Sequence, residues 1–266
     1  MQSDRLPGKV LLPMPLQSQK TMLGTIIDQL SRSRYSGQII VATAVGIHND
    51  PISHWCNENS ISCFRGSESD VLSRFISISK SHGFDVVVRL TADNPLLDIS
   101  SIDAAIEQHI HGSYDYTYTI GLPVGMNVEV VAADKLISLE SMELSEADRE
   151  HVTHYFKTHA GFNILRLPIV EAEGMSSLRL TVDYPADYLV LSTLLSHTTG
   201  LDGIELVKYF NTMYPFVFQA NKDMIQKQQF ASYEDELGAA ISLMDRLEMN
   251  RVSLKLSEDR SNRDPE

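Results

Sequence analysis

The chain has 266 residues, with 22 Lys and Arg against 35 Asp and Glu, and a formal net charge of −13. A hydrophobic fraction of 43% and a charged fraction of 21% suit a folded chain that buries a core, and exclude disordered, collagenous and low-complexity classes. The acidic balance argues against DNA or RNA as a partner, because phosphate backbones are bound by basic patches; a local cluster of cations still leaves a small anionic ligand open.

The start, M-Q-S-D-R, has neither the basic residues nor the apolar stretch of a signal peptide. Residues 3–9 read S-D-R-L-P-G-K, a glycine turn with two cations beside it. Such a turn can hold a triphosphate through backbone N–H groups and charge pairing, which makes Ser3, Arg5, Gly8 and Lys9 candidate ligands. Leu23, Ile26, Ile27 and Leu30 then fall at helical spacing. Residues 38–44, Q-I-I-V-A-T-A, are β-branched and nearly continuous in apolar side chains, the pattern of a strand buried on both faces of a parallel sheet. Cys56 and Cys63 make neither a disulfide framework nor a zinc ligand set, so a reducing cytoplasm is the expected location. Val71, Leu72, Phe75 and Ile76 repeat the helical stripe, and 85–91 repeat the strand pattern.

Ser followed three residues later by Asp marks helix starts at Ser67/Asp70, Ser100/Asp103, Ser145/Asp148 and Ser232/Asp235. Further strands are expected at 115–119, 126–131, 163–169 and 178–182. This alternation predicts an α/β fold, a doubly wound and mostly parallel sheet, with the closely spaced strands of 115–169 as a small mixed β region over one edge. Beyond 182 the chain turns helical over 184–197, 202–213 and 233–249. Residues 257–266 hold no apolar side chain and are expected to be disordered. No run approaches the ~18 apolar residues of a membrane helix.

Two aspartates stand out by position. Asp93 follows the strand 85–91 in T-A-D-N-P, and Asp183 follows 178–182 in T-V-D-Y-P. Ligands of doubly wound folds sit outside the carboxyl ends of strands, so both side chains can converge on one site. An aspartate before a turn is also ordinary loop chemistry; it is the pair that points to Mg²⁺, which takes oxygen ligands and adds substrate phosphates and water. Arg149, Glu150 and His151 stand early in the helix after Ser145, whose core face is Val152, Tyr155 and Phe156. That leaves Arg149 and Glu150 free to meet a ligand, while His151 shares the side of Tyr155, where packing explains it equally well. The absence of G-x-S-x-G and of G-x-G-x-x-G after a strand argues against a serine nucleophile and a dinucleotide cofactor.

Seven stretches run in a fixed order: R-L-P-G-K-V-L-L-P (5–13), V-A-T-A (41–44), F-R-G-S-E-S-D-V-L-S-R (64–74), V-V-V-R-L-T-A-D-N-P-L-L-D (86–98), N-V-E-V (127–130), R-E-H-V-T (149–153) and L-R-L-T-V-D-Y-P-A-D (178–187). Together they resemble the cytidylyltransferase family that includes the spore-coat polysaccharide biosynthesis protein SpsF and, more distantly, the CMP-sialate and CMP-Kdo synthetases. The resemblance implies a nucleotide-diphospho-sugar transferase-like fold and transfer of CMP from CTP to the hydroxyl of an acidic sugar, with release of pyrophosphate, for surface polysaccharide. It matches Asp93 and Asp183 to the Mg²⁺-binding aspartates and, with Lys9, to the catalytic set. Ser3, Arg5, Gly8 and Lys9 match the phosphate loop. Arg65, Asn127, Glu129, Arg149, Glu150 and His151 then lie near the sugar, or in part at the contact of a homodimer. Such transfer needs positioning and charge neutralisation more than a protein nucleophile.

Three departures follow. The family begins with an apolar strand leading into Q-x-R, whereas four residues precede Arg5, so the first, central strand is expected to be missing. V-G-M-N-V-E-V replaces D-G-L-D-V-E-V, so Val124 and Asn127 stand where two carboxylates are usual. Residues past about 215 match no family segment, giving expected divisions of 1–215 for the cytidylyltransferase-like domain, 216–256 for a helical extension and 257–266 for the tail. Two alternatives remain: a glycosyltransferase using a nucleotide sugar, whose folds share the strand-end aspartate, and a catalytically dead binding subunit of the same fold, to which the missing strand points.

Overall fold

The β-branched runs form strands and the helical stripes form helices largely in the predicted order. In this computed structural model, residues 5–198, 200–224 and 232–261 are described. A 3-10 turn, Lys9–Leu11, leads into α1 (Met22–Leu30), β1 (Ile40–Ala44), α2 (Asp50–Glu58), β2 (Ser62–Gly66), α3 (Val71–His82), β3 (Val86–Arg89) and α4 (Ile99–Gly112). There follow β4 (Tyr116–Ile120), β5 (Glu129–Ala132), α5 (Ala133–Ser138), α6 (Glu146–His151), α7 (His154–Thr158), β6 (Ile164–Pro168), α8 (Pro185–Leu195) and α9 (Gly203–Met213). These belong to one unit, Met1–Met224; a second, Ile225–Glu266, carries α10 (Tyr233–Arg246) and α11 (Asn250–Ser261). The boundary expected at 215 falls instead in a 3-10 turn, Pro215–Ala220, whose Phe218 is buried in the main core.

Side-chain oxygens set the helix starts. Ser145 forms a capping box with Asp148, and Ser232 accepts the Asp235 N–H at 3.1 Å, as predicted. At the other two sites an aspartate caps: Asp70 accepts from the Ser73 N–H at 2.8 Å and Asp98 from the Ser101 N–H at 3.0 Å. A carboxylate is the stronger acceptor for a helix's first N–H groups, so it outcompetes a nearby hydroxyl.

Two sheets result. β1 and β2 pair in parallel, from Ile40↔Ser62 to Ala44↔Gly66. The second sheet has the order β3-β5-β4-β6, with β5 antiparallel to both neighbours and β4 parallel to β6. The mixed region expected over one edge is therefore continuous with β3. Residues 178–182 form no ladder; they run extended beside Val124, joined by Val124 N–H to Leu178 O at 2.9 Å and Leu180 N–H to Val124 O at 2.8 Å. Alternate side chains enter two layers, Val130 into a core with α1, α4, α8 and α9, and Val131 into a second with Leu72, Leu136 and Phe156. A third cluster joins Leu23 and Cys56 to Val10, Leu11 and Trp55, binding the 3-10 turn to α1 and α2.

Among the described residues β1 pairs with β2 alone and β3 with β5 alone, leaving one unused edge on each where the sequence leads one to expect a gap. Both strands line a cavity of about 770 Å³ whose walls also include Leu23, Ile26, Phe75 and Ile106. Val86 to Arg89 are only half-buried, although their pattern suits a strand covered on both faces.

In the second unit the chain reverses at Glu248 (φ 57°). α11 runs on to Ser261, so 257–261 are helical where composition predicts no structure; residues 262–266 lie outside the described ones. Lys255 stands 3.5 Å from Glu258 and 3.4 Å from Asp259, the i+3 and i+4 spacings at which opposite charges support a helix. Among the described residues no helix is long and apolar enough to cross a membrane.

The unused edges have a measurable consequence. In amide hydrogen exchange, β5, paired on both sides, should be slowest, and cavity-facing amides of β1 and β3 should exchange faster by at least about tenfold. Equal protection of all three strands would contradict the split sheet.

Candidate active site

Gly8 takes φ 69°, a left-handed conformation that glycine adopts without a Cβ penalty, and starts the 3-10 turn that presents Lys9. Lys9 Nζ donates to Asp93 Oδ2 at 2.9 Å, to Asp183 Oδ1 at 3.1 Å and to the Val182 carbonyl at 2.6 Å. The two aspartates thus converge on one point. Their loops are also tied directly, Val182 N–H donating to Asp93 O at 2.8 Å.

Asp183 is held from its other side. Its Oδ2 accepts from Arg179 Nη2 at 2.8 Å, and Arg5 Nη2 lies 3.4 Å from Oδ1. Arg179 in turn forks onto Asp187, Nε at 2.9 Å from Oδ1 and Nη2 at 3.2 Å from Oδ2. Asp187 is 0% exposed and also accepts the N–H groups of Asp183 and Tyr184, each at 2.9 Å, and Asn221 Nδ2 at 2.9 Å. The Arg5 guanidinium lies 4.5 Å from the centre of the Tyr184 ring. Burial alone would raise the Asp183 carboxyl; Lys9, Arg179 and Arg5 outweigh it and hold the group below the usual carboxylate range. Gly125, at φ 98°, allows the close approach behind this loop, because a Cβ there would stand 2.8 Å from the Leu180 carbonyl.

Arg5, Gly8, Lys9, Asp93 and Asp183 therefore come together; Ser3 lies outside the described residues. The residues assigned to the sugar make their bonds elsewhere. Arg65 Nη2 donates to Asp50 Oδ1 at 2.6 Å and to Gly46 O at 3.0 Å. Asn127 is exposed, its Nδ2 3.3 Å from Leu122 O. Arg149 pairs with Asp70 at 2.8 Å, while Glu150 and His151 are exposed. The helix expected through them breaks at Val152 (φ 59°), although Val152 and Phe156 are buried as the stripe predicts. Glu129 is buried, accepting from Arg89 at 2.7 Å, Lys157 at 2.6 Å and the Tyr116 hydroxyl at 2.7 Å.

Arg179, Asp187 and Asn221 escape the sequence reading. Asp187 carries a signal, an acid in the first turn of a helix that opens with Pro185; Asn221 carries none. His154, 2.7 Å from Asp148, is a further pair that the histidine spacing does not reveal.

The donor set suits a hard cation. Two carboxylates share one position, and Mg²⁺ is commonly held by one or two carboxylates with substrate phosphates and water completing the shell. Among the described residues no group of three or more His, Cys, Asp or Glu is arranged to hold a metal, so the protein alone offers only this pair. Asp93 and Asp183 fit a metal that arrives with a phosphate ligand.

A glycine turn with two cations, facing paired carboxylates in an α/β fold, suits an enzyme that handles nucleotide phosphates. The cytidylyltransferase family model matches residues 1–228. The spore coat polysaccharide biosynthesis protein SpsF of Bacillus subtilis is 32% identical over 200 residues, 73% of this chain and 82% of that one. A cytidylyltransferase structure from Leptospira borgpetersenii superposes with a TM-score of 0.74 at 26% identity, covering 87% of this chain and 95% of the other. A CMP:2-keto-3-deoxy-manno-octonic acid synthetase complexed with CTP shares the fold, with a TM-score of 0.55 at 13% identity over 73% of this chain and 94% of that one. The chain belongs to the cytidylyltransferase family. This membership favours nucleotidyl transfer over the glycosyltransferase alternative.

The Glu129 network titrates in a defined direction. Burial would raise its carboxyl, yet Lys157 and Arg89 pull it from 4.5 down to about 2. A carboxyl depressed in the folded state adds stability above its unfolded value and loses it as pH falls through the folded one. Glu129→Gln should therefore cost about 2–3 kcal/mol at pH 7, and the difference should shrink between pH 4.5 and 2. Urea unfolding of both proteins across that range measures it; a pH-independent difference would contradict the network.

Proposed function

We propose that this enzyme transfers CMP from CTP to a hydroxyl of an acidic sugar destined for surface polysaccharide, releasing pyrophosphate, in a Mg²⁺-dependent cytoplasmic reaction. The observation that carries the reading is the convergence of Asp93 and Asp183 on Lys9 beside Arg5. The polysaccharide assignment draws on the likeness to SpsF, and the nucleotide and acidic sugar on the synthetase that shares the fold.

In this reading Arg5, Gly8 and Lys9, with Ser3 ahead of them, form the nucleotide loop. Arg5 and Lys9 neutralise phosphate oxygens, by charge and by N–H donation. Arg179, fixed by Asp187, keeps Asp183 aimed at the same point. When bound, Mg²⁺ supplies charge neutralisation and polarises the phosphoryl group under attack. Arg65 and Arg149 are the cations for the sugar's carboxylate, with Asn127, Glu150 and His151 as exposed polar partners. Glu129 acts through Arg89 and Lys157, whose positions it fixes. The assembly read from the resemblance is a homodimer, which light scattering on the purified chain measures.

Two experiments test this. Asp93→Asn and Asp183→Asn should each lower CTP-dependent pyrophosphate release by a hundredfold or more, on the order of the several kcal/mol that a metal contributes. Circular dichroism should stay unchanged; near-native turnover would remove the metal assignment. CTP with Mg²⁺ should raise the Tm more than ATP, GTP or UTP, because ligand binding to the native state stabilises it. Equal shifts would mean that the base is not read, and no shift with any nucleotide would favour a dead binding subunit.

A further inference from the structure

The carboxylates of Asp93 and Asp183 already hold a cation of the protein's own. An ammonium has three N–H donors, and each on Lys9 has an acceptor here: Asp93 Oδ2, Asp183 Oδ1 and the Val182 carbonyl. The Lys9 side chain is only 13% exposed, so these bonds are shielded from water. Asp93, Asp183 and Asp187 bring three negative charges, and Arg5, Lys9 and Arg179 bring three positive ones. The cluster is formally neutral. A divalent ion approaching it meets no net attraction and finds an ammonium between the two oxygens that would ligate it.

We propose that Lys9 is a built-in counter-ion that fills the metal position between Asp93 and Asp183 in the nucleotide-free enzyme, and that a triphosphate opens this position by taking Lys9 as its own partner. The proposal rests on the cytidylyl-transfer reading of the same site. The lysine stem is flexible enough to carry the ammonium several ångströms without backbone movement, and phosphate oxygens are strong acceptors for it. Arg5, already at the edge of the cluster, has the same alternative partner. Once Lys9 leaves, two carboxylate oxygens face the phosphates, the arrangement that suits a hard cation. Metal and nucleotide then bind as an interdependent pair, each strengthening the other by the same factor.

The test uses the full chain and Mn²⁺ alone, read by loss of the free-ion signal in electron paramagnetic resonance. Lys9→Met should bind Mn²⁺ at least tenfold more tightly than the unsubstituted protein, and adding Asp93→Asn should abolish the gain. Arg5→Met removes the same charge from the flank without vacating the central position, so its gain should stay under threefold. Unchanged Mn²⁺ affinity in Lys9→Met would overturn the proposal, as would an equal gain in Arg5→Met. If circular dichroism shows that Lys9→Met does not fold, Lys9→Gln takes its place, with the same outcomes deciding. A CTP arm, corrected for Mn²⁺ bound to CTP in solution, separates the two readings. Tighter Mn²⁺ binding by Lys9→Met without any effect of CTP supports the counter-ion and removes the nucleotide. CTP-enhanced binding with no effect of Lys9→Met does the reverse.

Discussion

The buried carboxylate of Asp187 is the interaction on which the site depends. It has no exposure to water, yet it accepts from Arg179 twice, from Asn221 and from two backbone N–H groups. A buried charge is tolerable only when so fully bonded. That requirement fixes everything around it: the start of α8, the turn through Asp183 and Tyr184, and the plane of the Arg179 guanidinium. Arg179 passes the constraint to Asp183, Asp183 to Lys9, and Lys9 to Asp93. Segments far apart in sequence are registered by one chain of alternating charges. Asn221 adds a bond to the Arg179 carbonyl at 3.0 Å, bringing the end of the first unit into the same arrangement.

The sheet is organised differently from the site. Among the described residues its two parts share no ladder, so β1–β2 are held to the rest by side chains of α1 and α3 and by the turn after Gly8. Backbone hydrogen bonding sets register within each part, while apolar contact sets the relation between them. Apolar contact is non-directional. The ion-pair chain supplies the direction, since Lys9 sits on a turn packed against α1 and α2, while Asp93 follows β3.

Much of this was legible in the sequence, for physical reasons. Continuous β-branched runs identify β1 and β3 because strand side chains alternate between two apolar layers, and Val130 and Val131 show that alternation directly. Asp93 and Asp183 were legible because loops at strand ends are where such folds expose acids. The cap exchange at Asp70 and Asp98 was not, since local spacing does not rank competing acceptors. Residues 178–182 read as a strand because their composition is that of one, but strand pairing also needs a neighbour with a free edge. Arg179 and Asn221 were invisible because their roles arise from long-range partners. The helix at 257–261 was missed because weak i, i+4 charge pairs leave no apolar stripe.

The third apolar cluster carries a consequence of an optical kind. The chain has a single tryptophan, Trp55, half-buried on α2 in the same apolar cluster as Val10 and Leu11 of the turn that holds Lys9. Its ring also stands against Gly24 of α1, where an added Cβ would lie 3.2 Å from Cζ2. Indole emission depends on the polarity and packing around the ring, and here the same apolar cluster includes Val10 and Leu11 of the turn that presents the ammonium. The protein thus carries one indole, and it shares an apolar cluster with the turn that presents Lys9, so its emission reports on the packing of that turn.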